Sequence, residues 1–227
     1  MKQPIETVLF DFGGTLDADG LAWKERFHAQ YRAEGLDMTP ESFARAFYAA
    51  DDALAGRLPR DADLAVTVHR LAAGLDQELA RRDARRVAER FLAEADAAFA
   101  RNRPVLEALQ ARYRLGIVSN FYGNLEAVCR GAGLAPHFAV IVDSHKVGAA
   151  KPDAAIFRAA LEPLGARPET TLLVGDSLPR DREGARRLGM GFVWIAPRDV
   201  RDAAAAAGDA LDHQAIARLG ELAELLM

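Results

Sequence analysis

The chain has one cysteine in 227 residues, Cys129. That excludes an intramolecular disulfide and matches the cysteine usage of a reducing compartment. No apolar run approaches the roughly 20 residues of a membrane-spanning helix, and the N-terminus MKQPIETVLF lacks the basic, apolar, small order of a signal peptide. A cytoplasmic protein without a membrane partner is expected. An excess of charge of one sign is missing too: 29 basic residues face 33 acidic ones, interspersed, for a formal net charge of −4. A nucleic-acid binder would carry a basic patch or stripe, so no nucleic-acid partner is expected. Lysine is scarce. Only Lys2, Lys24, Lys146 and Lys151 stand among the basic residues, so a lysine inside a motif is informative. Half the residues are apolar, enough for one large domain or a core with a smaller insertion.

Five short apolar runs read as buried strands: 7–12 (TVLFDF), 115–120 (LGIVSN), 139–144 (AVIVDS), 171–176 (TLLVGD) and 191–196 (GFVWIA). Their nearly continuous hydrophobicity is that of strands covered on both faces. Helical patterns separate the last four, which predicts an α/β layered domain with a parallel sheet and right-handed crossovers. Between the first two strands lie about a hundred residues rich in Ala, Leu, Arg and Glu, with helices expected over 20–34, 40–55, 62–80 and 83–101. A loop of that length needs its own core, so it reads as an inserted helical domain. The tail holds the low-complexity run DAAAAAGDALD and then an expected amphipathic helix, QAIARLGELAELL.

Ligands of open α/β sheets bind beyond the carboxyl ends of the strands. Strand one ends in Asp11, Gly13, Gly14 and Thr15, and strand two in Ser119 and Asn120. Strand three leads through Asp143 and Ser144 to Lys151, Pro152 and Asp153; strand four ends in Gly175, Asp176 and Ser177, with Asp181 beyond. This set suits phosphoryl transfer. Asp11 can attack phosphorus and form an acyl phosphate, while Lys151, Ser119, backbone amides and a divalent metal offset charge on the equatorial oxygens. Asp11, Asp176 and Asp181 offer hard oxygen ligands of the kind Mg²⁺ takes.

DFGGT (11–15), SN (119–120), KP (151–152) and GDSLPRD (175–181), in that order, resemble the four motifs of the haloacid dehalogenase-like hydrolase superfamily. The resemblance covers residues 5–17 and 104–196, and the helical insertion stands where that family places its type-one cap. It implies a Rossmann-like parallel-sheet core (1–17 and 102–227) with a helical cap (18–101). Asp11 would be the nucleophile, assisted by Lys151. Gly14, Thr15, Ser119, Asn120 and Lys151 would contact phosphate. Asp11, the backbone carbonyl of Gly13, Asp176 and Asp181 would hold Mg²⁺. The implied activity is hydrolysis of a small phosphorylated metabolite through an aspartyl phosphate.

One position departs from the pattern. The family's phosphatases carry a second Asp two residues after the nucleophile, as general acid and base; here it is Gly13. Glycine keeps the carbonyl and loses the acid. Four readings follow: a substrate with a good leaving group, a substitute acid (Asp17, Asp19, His28 or His69), a protein that binds a phosphorylated ligand without turnover, or a phosphonatase- or dehalogenase-like reaction. The retained metal carboxylates weigh against a dehalogenase, and the placement expected of the insertion's only lysine, Lys24, against a phosphonatase. Asp17 and Asp19 otherwise read as caps of the first cap helix, His28 and His69 as ordinary core or surface histidines, and Trp23, Phe27 and Tyr31 as cap packing. Gly13→Asp is expected to raise turnover of alkyl phosphates, measured as phosphate release.

Overall fold

The computed structural model describes residues 4–206 and 214–226. Its centre is a six-stranded parallel sheet, ordered β3-β2-β1-β4-β5-β6. The strands are β1 (Thr7–Phe10), β2 (Arg114–Ser119), β3 (Val140–Asp143), β4 (Thr171–Gly175), β5 (Gly191–Ile195) and β6 (Gln214–Ile216). Alternate residues enter opposite layers, as strand geometry requires. Val8 and Phe10 join one apolar cluster with Ile117 and Val174, while Leu9 joins the other with Val118, Leu173 and Phe157. This is the expected Rossmann-like α/β core.

The insertion between β1 and β2 is helical throughout: α1 (Trp23–Ala33), α2 (Pro40–Asp52), α3 (Leu64–Leu79) and α4 (Ala84–Gln110). Thr39 and Asp63 cap α2 and α3 through their side chains, and Pro40 occupies the first turn of α2. The sequence reading ended the fourth helix at Arg101, but α4 continues past Pro104. Phe99, Asn102, Leu106 and Leu109 carry its buried stripe onward, and packing along that stripe outweighs the hydrogen bond that proline removes. Asn102 donates to the Leu16 carbonyl at 2.9 Å, so α4 ties the insertion to the loop after β1.

The remaining helices cover the sheet: α5 (Leu125–Gly131), α6 (Ser144–Val147), α7 (Ala154–Leu164), α8 (Glu183–Leu188), α9 (Arg198–Ala206) and α10 (Gly220–Leu226). The expected C-terminal helix from Gln214 is corrected. Gln214, Ala215 and Ile216 pair with Val193, Trp194 and Ile195 as an added parallel strand, and only Gly220–Leu226 is helical. A stretch as short as Gln214–Ile216 fits either period, and the open edge of β5 decided it. Part of the low-complexity run, residues 207–212, lies outside the described residues. Cys129 is fully buried in α5, and burial pushes its thiol up to about 12.

Asp17 and Asp19 do not cap α1, whose N-cap is Ala22. Asp17 is fully buried and accepts from the Gly14 amide (2.6 Å), Trp23 Nε1 (2.7 Å) and Arg26 Nη1 (2.7 Å). Arg26 in turn donates Nη2 to the Phe91 carbonyl and lies 3.6 Å from the centre of the Phe91 ring. One buried ion pair thus joins the loop after β1, α1 and α4. Removing one partner of such a pair leaves an uncompensated charge and costs about 3–5 kcal/mol. Arg26→Leu is expected to lower unfolding free energy by that order, read as a fall in the urea midpoint.

Candidate active site

The chain runs from β1 outward through β2 to β3 and then returns to β4 on the other side of β1. That reversal opens a crevice at the carboxyl ends of β1 and β4. Asp11 follows β1, its amide bonded to the Val174 carbonyl at 2.9 Å. Asp176 follows β4, and Asp181 comes back from a π-helical turn, Leu178–Arg182. Asp11, Asp176 and Asp181 each present a carboxylate oxygen within 4.8 Å of the others.

Three acids so close require compensation. Lys151 Nζ donates to Asp11 Oδ1 (2.6 Å) and Asp181 Oδ1 (2.7 Å), itself only 5% exposed. Ser119 Oγ also donates to Asp11 Oδ1 at 2.8 Å. Burial opposes charge on both Asp11 and Lys151, but the pairing prevails: the Asp11 carboxyl is held below its ordinary range and the Lys151 ammonium above. Asp181 is raised by burial, with Lys151 pulling it back. Asp176 has no such partner. Burial first, then Asp11 and Asp181, push it well above the carboxylate range, and its buried Oδ1 finds no hydrogen bond. An orphaned carboxylate oxygen beside two acids is what a hard divalent cation satisfies. The donor set therefore fits Mg²⁺.

Asn120 positions the lysine: its Oδ1 accepts from the Lys151 amide (2.8 Å) and its Nδ2 donates to the Lys151 carbonyl (3.3 Å). Gly14 and Thr15 stand apart from the cavity. The Gly14 amide is committed to Asp17 and the Thr15 amide to the Phe12 carbonyl, and Thr15 Oγ1 is buried without a partner. Gly14 adopts φ +88°, and a Cβ there would meet Asp176 Oδ2 at 2.6 Å, so only glycine fits. Asp143 serves structure, accepting from the amides of Gly123, Leu125 and His145. Asp153 is the N-cap of α7.

A cavity of ≈ 150 Å³ opens over Asp11, lined by Ser119, Asn120 and Lys151 on the core side and by Trp23, Lys24, Phe47, Tyr48 and Asp51 from the insertion. Gly13, Ala22, Glu25, Phe121, Tyr122 and Arg180 complete its wall. Tyr48, Asp51, Tyr122 and Arg180 carried no sequence signal, because only helix packing brings α2 over the loops after β2 and β4. Tyr122 donates its hydroxyl to Asp51 Oδ1 across that seam, and burial raises the pKa of both. Lys24 does line the cavity, contrary to its expected placement. Burial would lower its pKa, but Glu25 at 3.2 Å and Tyr48 outweigh it and hold the ammonium charged, which is unsuited to a Schiff-base amine.

None of the four substitute acids named from sequence reaches the cavity wall. Asp17 is locked in its ion pair, Asp19 bonds Arg101 at 2.8 Å, and His28 bonds the Met38 carbonyl and stacks on Phe43. His69 is exposed on α3. Phe27 and Tyr31 pack in the cap as expected, but Trp23 faces the site. A Cβ on Gly13 would lie 3.2 Å from Trp23 Nε1. The indole, held by Asp17, fills the space into which an acid would grow.

A family model for haloacid dehalogenase-like hydrolases matches residues 5–189. The chain belongs to that family. A phosphoserine phosphatase of Thermus thermophilus is 46% identical over 65 residues, 29% of this chain and 26% of that protein. A glyceraldehyde 3-phosphate phosphatase of Methanopyrus kandleri is 29% identical over 205 residues, 84% of each. The structure of a haloacid dehalogenase-like phosphatase from Thermococcus onnurineus is 25% identical and aligns over 98% of both chains with a TM-score of 0.57. Matches span 26% to 43% of the lengths of the first curated relatives. The protein is thus a haloacid dehalogenase-like hydrolase with phosphatase-type relatives.

The expectation for Gly13→Asp is modified by Trp23. The single variant is expected to gain little on ethyl phosphate, because its Cβ meets the indole. Gly13→Asp with Trp23→Phe should gain more, up to the order of 10²-fold that proton transfer supplies. Phosphate release from ethyl phosphate by wild type and the two variants checks this; an equal gain in both variants would remove Trp23 from the account.

Proposed function

We propose that this hydrolase is a Mg²⁺-dependent phosphatase of small phosphorylated metabolites whose leaving group departs without a proton donor. The observation that carries it is the state of Asp11. One carboxylate oxygen is fixed by Ser119 and Lys151, while no protein donor engages the other among the described residues. A carboxylate held anionic and half engaged at a cavity floor is an oriented nucleophile.

Asp11 attacks phosphorus in line with the leaving oxygen, which departs with the electron pair of the broken P–O bond. Water then attacks the phosphorus of the acyl phosphate, returning the Asp11 carboxylate and releasing inorganic phosphate, with the water's protons taken up by phosphate and solvent. Lys151 offsets charge on the transferring group, and Ser119 and Asn120 keep Asp11 and Lys151 in register. The amides of Phe12 and Gly13, which donate to no protein group among the described residues, supply further donors. Asp11, Asp176 and the Gly13 carbonyl would hold Mg²⁺, with Asp181 orienting Lys151 and the Ser177 amide behind them. Bound there, the cation would neutralise the acids and polarise the phosphoryl oxygens. The Gly13 substitution, closed off by Trp23, restricts substrates to those with stabilised leaving groups, such as acyl or aryl phosphates. The phosphatases among the relatives support the reaction class.

Release of p-nitrophenolate from p-nitrophenyl phosphate tests the reading, since that anion leaves without protonation. Wild type should turn it over with Mg²⁺, and Asp11→Asn should lose at least 10³-fold while still unfolding in a cooperative thermal transition. A folded wild type with no turnover above Asp11→Asn would shift the assignment to ligand binding without chemistry. Cation binding has a pH signature as well. Asp176 has a raised pKa in the folded protein, so its effect on metal-free stability is unfavourable above the unfolded value and grows as pH rises through the folded value. Mg²⁺ competes with that proton. The rise in melting temperature on adding Mg²⁺ is expected to be larger at pH 8 than at pH 6, and to be lost in Asp176→Asn.

A further inference from the structure

We propose that Arg180 forms a second anion subsite in the cavity over Asp11, and that the substrate is a small carboxylic acid carrying its phosphate on a stabilised acyl, enol or aryl oxygen. This rests on the phosphatase reading above and names its substrate class. Three cations line the cavity. Lys151 is spent on Asp11 and Asp181, and Lys24 pairs with Glu25. Arg180 alone of the three has no carboxylate within ion-pair distance among the described residues. Its Nε donates to Ser177 Oγ at 3.1 Å, which fixes the side chain and leaves both terminal nitrogens without a protein acceptor among the described residues.

The backbone explains how it gets there. In the π-helical turn Leu178–Arg182 the Ser177 carbonyl accepts from the amides of Asp181 (2.7 Å) and Arg182 (3.3 Å). The wide turn sends Asp181 inward to Lys151 and projects Arg180 along the cavity wall. Burial works against charge on Arg180, but the carboxylates of Asp11, Asp176 and Asp181 more than offset it, and Tyr48 of α2 adds to them. Arg180 shares the cavity wall with Asp11 of the core and Tyr48 of α2. Lys151 and a divalent cation would neutralise the three acids; Asp51 on the same wall also acts on Arg180, but burial raises its carboxyl and Tyr122 occupies its Oδ1, so the guanidinium still faces the body of the substrate without an ion-pair partner among the described residues. Its planar fork matches a carboxylate in two parallel hydrogen bonds. The volume, ≈ 150 Å³, suits a short acid, and the aromatic rings of Trp23, Tyr48 and Phe121 give that body an apolar wall.

Phosphoglycolate and ethyl phosphate differ by a carboxylate against a methyl group and make a matched pair of probes. Their affinities for Asp11→Asn with Mg²⁺, measured by calorimetry, need no turnover. Phosphoglycolate is expected to bind about ten- to hundred-fold more tightly, the range of a charge-assisted hydrogen-bonded pair. Arg180→Gln in that background should remove most of the preference, and Arg180→Lys should keep part of it. Equal affinities in the Arg180-containing protein, or a preference that survives Arg180→Gln, would overturn the subsite. So would an equal loss for both probes, which would assign Arg180 to the phosphoryl group instead. If that happens while p-nitrophenyl phosphate is still hydrolysed, the phosphatase reading stands without it; failure of both probes to bind would count against both.

Discussion

Three carboxylates within 4.8 Å of one another are the constraint around which this molecule is arranged. Such a cluster is stable only where opposite charge is built in beside it, and Lys151 supplies that for two of the three. The lysine depends on Asn120 for its backbone position, and Asn120 depends on β2 lying next to β1. The third acid, Asp176, keeps an oxygen without a hydrogen bond among the described residues, an imbalance of the kind a hard cation relieves. Structure and electrostatics coincide here: the features that would destabilise an isolated core are those that prepare it for a charged ligand.

A second buried charge pair governs what that site can do. Asp17 and Arg26 fasten the loop after β1 to α1 and α4, and the same carboxylate holds the Trp23 indole against Gly13. The loss of the acid at position 13 is therefore not an isolated substitution. Its space is filled from the cap, and the filler is held by a hydrogen bond at 2.7 Å. Beside Gly13 stands an indole ring, not a carboxylic acid.

The inserted helices complete the cavity wall. The bond between Tyr122 and Asp51 and the one from Asn124 Nδ2 to Thr67 Oγ1 (2.8 Å) cross between the loop after β2 and the cap helices. A continuous apolar cluster runs from the sheet into α1, α2, α3 and α4. With the cap so seated, Lys24, Tyr48 and Asp51 share a wall with Arg180 of the core.

The sequence alone determined the five strands β1 to β5, because continuous apolar runs with helical spacers admit few other arrangements, and it located Asp11, Lys151, Asp176 and Asp181, because in such a sheet the strand ends converge. It also exposed the missing acid at Gly13, which is a matter of residue identity. Tertiary structure decided the rest. Whether Gln214–Ile216 is strand or helix depended on a free edge beside β5, and the length of α4 on packing that overrode Pro104. Asp17 and Trp23 looked like a helix cap and a packing residue, since local spacing carries no information about a ring turned back onto the loop after β1. Arg180 was legible only as one arginine among many. Its meaning comes from which charges lie within reach of it and which do not, a property of three-dimensional distance that no spacing along the chain encodes.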